Sequence, residues 1–165
     1  MIIPAYNEEE SILNTVLSII EYRKKVDFDL DYVVINDGSI DRTKEILDSH
    51  HLNAIHLVMN LGIGGAVQTG YKYALENNYD VAVQFDGDGQ HDIESLDALL
   101  EPIRRQQADL VVGSRFIGDK ASEFQTTFMR RFGITIISAF IKLTTGKRIL
   151  DATSGYRLAN QDIIR

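Results

Sequence analysis

Val81-Ala82-Val83-Gln84-Phe85-Asp86-Gly87-Asp88-Gly89-Gln90-His91-Asp92 is a short apolar run that stops in two carboxylates one glycine apart. The run has the length and β-branched content of a buried strand, and Gly87 and Gly89 mark where it opens into a loop. Alternate residues of an extended chain face the same way, so Asp86 and Asp88 can address one point. Two hard oxygen donors at a strand end suit Mg2+ or Mn2+, ions often held by one or two carboxylates together with substrate phosphates. Asp-Gly pairs are also ordinary turn formers. On these twelve residues alone a plain turn and a metal site have equal weight, and the rest of the chain decides between them.

Upstream, Ile2-Ile3 reads as a short first strand followed by the turn Pro4-Ala5-Tyr6-Asn7, with Asn7 and Glu10 spaced as a capping box. A helix follows with Ile12, Leu13, Val16, Leu17 and Ile20 on one face. Tyr32 to Ile35 is a second buried strand ending in Asn36-Asp37-Gly38-Ser39, and the helix after it turns Ile40, Thr43 and Leu47 inward. Ala54 to Val58 is a third strand. Asn60-Leu61-Gly62-Ile63-Gly64-Gly65 then opens a helix whose apolar face holds Ile63, Ala66, Val67, Gly70, Tyr71, Ala74 and Leu75. Downstream, Ile93, Leu96, Leu99, Leu100 and Ile103 mark a helix, and Leu110 to Gly113 is a fifth strand running into Ser114-Arg115.

Strands alternating with helices predict an α/β protein with three α/β/α layers around a mostly parallel sheet. Tyr6, Asp37, Asn60, Asp86 with Asp88, and Arg115 each fall at the carboxyl end of a predicted strand. In an open parallel sheet those ends share one rim, and ligands bind in the crevice there. Five polar loops therefore converge on one place.

With 165 residues, a single domain is the default. No cysteine is present, so disulfides and zinc–thiolate sites are excluded. Met1 leads straight into Ile2-Ile3-Pro4 without a basic leader, and no apolar run reaches the ~20 residues of a membrane span. The net charge of −7 is unevenly spread. Residues 1–100 hold 6 Lys and Arg against 18 Asp and Glu, a balance of −12, whereas residues 101–165 hold 11 against 6, a balance of +5. The acidic whole argues against nucleic acid as partner. The basic last third suits phosphates or an anionic membrane surface, and scattered solvated lysines and arginines would give the same count. Residues 126–144 read as a helix containing Phe132, Ile134, Ile136, Ile137, Phe140, Ile141 and Leu143, with Thr135, Ser138 and Lys142 as a polar stripe among them, fit for a core or for the membrane interface.

The architecture admits several chemistries. A dinucleotide fingerprint fails, because Val67 occupies the third glycine position of Gly62-Ile63-Gly64 and the loop follows the third strand. No phosphate-cradling G-x-x-x-x-G-K-[ST] loop is present. A phosphatase using Asp86 as nucleophile stays open. A diphosphate leaving group accounts for more of the residues: a metal on Asp86 and Asp88 neutralises the departing charge, Asp37 and Tyr6 suit a nucleobase, and Arg115 can grip phosphate as a fork.

The motifs Ile3 to Glu8, Asn36 to Thr43, Asn60 to Gly70, Asp86 to His91, Gly113-Ser114-Arg115 and Asp151 to Arg157 occur in an order that resembles family 2 glycosyltransferases, whose nucleotide-diphospho-sugar transferase fold is called GT-A and is Rossmann-like. Asp88 followed by Gln90-His91, and the ending Thr153-Ser154-Gly155-Tyr156-Arg157, look most like polyprenyl-phosphate sugar transferases such as dolichyl-phosphate mannose synthase. The resemblance implies an inverting transfer of a sugar from a UDP- or GDP-sugar. It implies that Pro4, Ala5, Tyr6, Glu8 and Asp37 hold base and ribose, with Asp86 at nucleotide and metal. Asp88 would be the principal metal ligand, joined by Gln90, and Arg115 with Arg130 or Arg131 would face phosphates. Asp92-Ile93 stands where many relatives have Asp-Pro, and Ile63 replaces a basic or small residue of the glycine loop.

The expected organisation is one domain over 1–165, trimmed at its first strand and at its end, with a nucleotide-binding part in 1–115 and an acceptor-side part in 116–165. A polyprenyl phosphate is already an anion and needs cationic guidance, whereas a saccharide acceptor in cell-wall or polysaccharide synthesis needs a carboxylate base. The +5 last third favours the first, with residues 126–144 in peripheral contact with the cytoplasmic face of a membrane. A nucleotide-sugar-binding module without turnover is the alternative from another class. A nucleotidyltransferase is disfavoured, because Tyr6-Asn7-Glu8-Glu9 is acidic where such enzymes carry a basic glycine-rich loop.

Overall fold

A computed structural model of the chain describes residues 1–87, 92–113 and 155–165. Within them lie β1 (Ile2–Ala5), α1 (Ile12–Arg23), β2 (Val33–Asn36), α2 (Thr43–Ser49), β3 (Ala54–His56), α3 (Gly62–Glu76) and β4 (Val81–Gln84). A single 3-10 turn (Ile93–Ser95), α4 (Leu96–Arg104), β5 (Leu110–Val112), β6 (Arg157–Asn160) and α5 (Gln161–Ile164) complete them. The expected helix over 126–144 lies outside the described residues.

The strands form one sheet in the order β3-β2-β1-β4-β6-β5. β1 pairs in parallel with β2 and with β4, and β2 with β3. β6 alone runs the other way, antiparallel to both β4 and β5. The sheet is therefore mixed, with one reversed strand among five that share a direction.

Strand alternation sorts the core into two layers. Ile3, Ala5, Val34, Val83, Phe85 and Leu158 face α1, α2 and α4, where they bury Ile12, Val16, Ile19, Leu47, Leu96 and Leu100. Ile2, Val33, Ile35 and Ala82 face α3 through Ala66 and Ala74. At Gly70 an added Cβ would lie 2.1 Å from Ile2 Cγ2, so glycine is what lets α3 press against β1.

Several local expectations are corrected. The Asn7–Glu10 capping box is absent: Asn7 sits at φ +57 and its Oδ1 accepts the Ile40 N–H at 2.9 Å, while α1 starts after Ser11. The buried face of α1 is Ile12, Thr15, Val16, Ile19 and Tyr22, rotated away from exposed Leu17. Ile40 is 86% exposed rather than inward, and Val58 lies exposed beyond the end of β3. Asp92 accepts the Glu94 N–H at 3.2 Å and so caps the 3-10 turn that Ile93 opens.

Candidate active site

Strand order reverses between β1, whose chain continues to β2 on one side, and β4 on the other. That is the switch point at which an open α/β sheet offers a crevice. β1 and β4 pair at Ile2 with Gln84, and further along a Cβ added to Gly87 would lie 3.1 Å from the Pro4 carbonyl oxygen, so the two strand ends stay side by side. Pro4, with no N–H to donate, sits where that pairing has ended.

The opening is a cavity of about 800 Å³ lined by Pro4, Ala5, Tyr6 and Glu8 from the end of β1, Asp37 from the end of β2, and Asp86 with Gly87 from the end of β4. These include all six residues expected to bind nucleotide. Asn60 stands on the same rim outside the cavity lining, its Oδ1 accepting the Gly62 N–H at 2.9 Å at the start of α3. Asp88, Gln90, Arg115, Arg130 and Arg131 lie outside the described residues.

Each residue is held by identifiable bonds. Asp37 is 3% exposed, and its Oδ1 accepts the Leu61 N–H at 2.7 Å, tying the β2 loop to the glycine turn. The Glu8 N–H donates to Thr43 Oγ1 at 2.9 Å and its carboxylate accepts the Ser11 hydroxyl at 2.7 Å. Asp41 locks the same two loops by accepting from the N–H groups of Glu9 at 3.1 Å and Thr43 at 2.9 Å. Burial alone would raise the Asp41 carboxyl, but the Thr43 hydroxyl and N–H and the Glu9 N–H hold it below its ordinary range. Tyr6, with 45% exposure, leaves an aromatic face at the mouth.

Gln84, Arg157, Tyr71 and Gly155 are among the lining residues that the sequence does not single out as site residues. Gln84 and Arg157 are register partners on β4 and β6 and both line the α3 side of the cavity, where Tyr71 joins them. Burial pushes the Tyr71 phenol up, while the Arg157 charge opposes this. Gln84 Nε2 donates to Asp86 Oδ1 at 3.4 Å. Gly155 lies against the Asp86 carboxylate: an added Cβ would come within 1.8 Å of Oδ2. Their neighbours Phe85 and Tyr156 meet edge to face, centroids 5.3 Å apart and planes at 87°, and this brings the two backbones together. The signal for Gln84 was a lone amide inside an apolar strand. Arg157 was visible within its motif, but nothing local marked Arg157 to Asn160 as a strand.

The arrangement has an aromatic face, a buried carboxylate, a second carboxylate at a loop that carries a third in sequence, and a guanidinium. Among the described residues, no group of three His, Cys, Asp or Glu is assembled as a metal site. Nor is any helix among them long and apolar enough to cross a membrane.

Comparison with known proteins identifies the family. The model of the family "Glycosyl transferase family 2" matches residues 1–165. An undecaprenyl-phosphate mannosyltransferase of Micrococcus luteus is 35% identical over 170 residues, covering 99% of this chain and 67% of that protein. A UDP-N-acetylglucosamine–dolichyl-phosphate N-acetylglucosaminyltransferase of Methanococcus voltae is 31% identical, covering 100% of this chain and 70% of that protein. Among solved structures, glucosyl-3-phosphoglycerate synthase from Mycobacterium tuberculosis, in complex with Mn2+, UDP-glucose and phosphoglyceric acid, superposes with a TM-score of 0.71 at 20% identity. That match covers 98% of this chain but 56% of the synthase and speaks for the fold, the GT-A arrangement expected from the sequence. The chain thus spans a little over half to about 70% of the length of these proteins. With its whole length matched and its strand-end residues gathered at the β1/β4 crevice, the chain belongs to glycosyltransferase family 2.

Proposed function

We propose that the chain is the donor-binding and catalytic part of an inverting glycosyltransferase that moves a sugar from a UDP- or GDP-sugar to polyprenyl phosphate. The observation that carries this reading is the cavity at the β1/β4 crevice, which gathers Tyr6, Asp37, Asp86 and Arg157. Pro4, Ala5, Tyr6, Glu8 and Asp37 hold base and ribose, the Asp37 carboxylate serving as the buried hydrogen-bond acceptor. Arg157, with Arg115 and Arg131, faces phosphates of donor or acceptor, where a forked guanidinium fits better than an ammonium.

A divalent ion, Mg2+ or Mn2+, fits the donor set. Asp86 supplies a hard oxygen at the cavity wall, aligned by Gln84, and the chain continues directly into Asp88 and Gln90. When bound, such an ion neutralises charge on the departing nucleoside diphosphate. The solved synthase with Mn2+ and UDP-glucose supports that choice.

The acceptor follows from the named relatives, which act on undecaprenyl and dolichyl phosphates, and from the basic balance of residues 101–165. An acceptor phosphate brings its own anionic nucleophile, so the protein's task is to orient it and to exclude water. Residues 1–115 form most of the nucleotide site, with Gly155 and Arg157 closing it, and the rest of 116–165 serves the acceptor. Residues 126–144 make the peripheral membrane contact, on the cytoplasmic face.

The test is transfer of radiolabelled sugar from UDP- and GDP-sugars to polyprenyl phosphate by the full-length protein with Mn2+. A labelled lipid product from one donor is expected. Asp88→Asn should abolish both turnover and metal-dependent nucleotide binding while the far-ultraviolet circular dichroism stays unchanged. A protein that neither binds nor consumes any such donor would refute the reading.

A further inference from the structure

Behind the cavity, and outside its lining, a chain of hydrogen bonds runs from the surface of α2 to the loop that carries Asp37. Lys44 Nζ meets Asp48 Oδ2 at 2.6 Å, and Asp48 Oδ1 meets His56 Nε2 at 3.0 Å. His56 Nδ1 lies 3.0 Å from Asn36 Nδ2, and Asn36 Oδ1 accepts the Ser39 N–H at 3.1 Å. Ser39 Oγ in turn accepts the Asn7 N–H at 3.0 Å, beside Tyr6.

The polarity of this chain is set from one end. Asn36, 2% exposed, must present its oxygen to the Ser39 N–H, so its amide nitrogen faces the ring. An amide nitrogen only donates, hence His56 Nδ1 accepts and Nε2 carries the proton toward Asp48. Parallel register places Asn36 directly beside His56 at the ends of β2 and β3, on the face covered by α2. If His56 is truncated, Asn36 is free to rotate, Ser39 loses its acceptor, and the turn bearing Asp37 relaxes.

We propose that His56 is a positioning residue for the donor site, acting through Asn36 on the Asn36–Ser39 turn that aims Asp37 into the cavity. This rests on the nucleotide reading of that cavity. A group that shapes the binding loop alone should alter donor affinity rather than the chemical step. Glutamine is the informative replacement, since its side chain offers one acceptor and one donor about as far apart as the two ring nitrogens.

The experiment is calorimetric titration of the full-length protein with UDP and with GDP in the presence of Mn2+, joined to steady-state kinetics on the preferred donor. His56→Leu should bind roughly tenfold more weakly, the size of one or two lost hydrogen bonds, with donor KM raised in step and kcat within about twofold. His56→Gln should recover binding to within about threefold of the parent. If His56→Leu does not fold, Asp48→Ala unties the Nε2 end from an exposed position and should weaken binding about threefold. Parent-like binding by His56→Leu or, in that event, by Asp48→Ala overturns the proposal, as does a stable His56→Gln that binds as poorly as His56→Leu. A parent protein that binds neither nucleotide overturns the nucleotide reading itself, and the proposal with it.

Discussion

The Leu61 N–H donates to Asp37 Oδ1 at 2.7 Å, so the buried carboxylate that lines the cavity is oriented by the glycine turn opening α3. One oxygen serves the fold, which leaves the other for a ligand. The two tasks separate by mutation. Asp37→Asn keeps an acceptor for Leu61 and should melt near the parent, yet bind nucleotide at least tenfold more weakly. Asp37→Ala removes both and strands the Leu61 N–H, a loss of about 1–3 kcal/mol in stability as well. Chemical denaturation alongside nucleotide titration reads both effects.

Gly155→Ala tests the contact with Asp86. A methyl group at position 155 would overlap the carboxylate, with Oδ1 2.4 Å and Oδ2 1.8 Å from the new Cβ. Asp86 is short and lies between Phe85, which is locked against Tyr156, and the buried Gly87, so the carboxylate must leave its place. Manganese affinity, followed by paramagnetic relaxation of water protons, should fall about tenfold, equal to ~1.4 kcal/mol. The melting temperature should move by only a few degrees, because the Asp86 carboxylate borders the cavity and can swing into it.

How much of this could be read from sequence depends on where the information lay. β2 and β4 were legible because buried parallel strands need apolar runs, and the strand-end carboxylates stood out against them. β6 was not: Arg157-Leu158-Ala159-Asn160 buries only its two central residues, and its reversed direction depends on β4 and β5 flanking it. Gln84 reads as one residue of the strand, and its place in the site appears only once Arg157 is its cross-strand neighbour. Helical period predicts Ile40 inward, yet it precedes α2 and stands exposed, where periodicity has no hold. On α1 the apolar pattern favours Leu13 and Leu17 over Thr15, because a hydroxyl is a poor core residue unless something accepts its proton.

Tyr79 carries a prediction at alkaline pH. Its hydroxyl donates to Asp31 Oδ2 at 3.0 Å, and its pKa is pushed up from 10.0 to about 12, first by burial and then by the hydrogen bond and charge of Asp31. The folded state holds this proton more tightly than the unfolded chain does. Its stabilising effect is therefore complete below pH 10 and lost as pH rises through about 12. Tyr79→Phe should be less stable than the parent near neutrality, and the difference should shrink across that window. Urea unfolding at a series of pH values from neutrality to the alkaline limit measures it.

Thr15 is the hydroxyl donor that fastens the acidic loop to α1. It is buried, and its Oγ1 donates to the Gly87 carbonyl at 3.1 Å, between the two carboxylates of the Asp86-Gly87-Asp88 sequence. Thr15→Val preserves shape but leaves that carbonyl without its buried donor, so stability should fall by about 1–3 kcal/mol. The same loss should loosen the loop at its midpoint and weaken manganese binding. Thr15→Ser restores the hydroxyl while deleting a methyl group, so it should recover metal affinity and still show a packing deficit of about 1 kcal/mol. If Thr15 served packing alone, the order would invert: valine would bind metal as the parent does and serine would be the weaker variant. Metal titration of the two proteins, each compared with its own unfolding free energy, separates these outcomes.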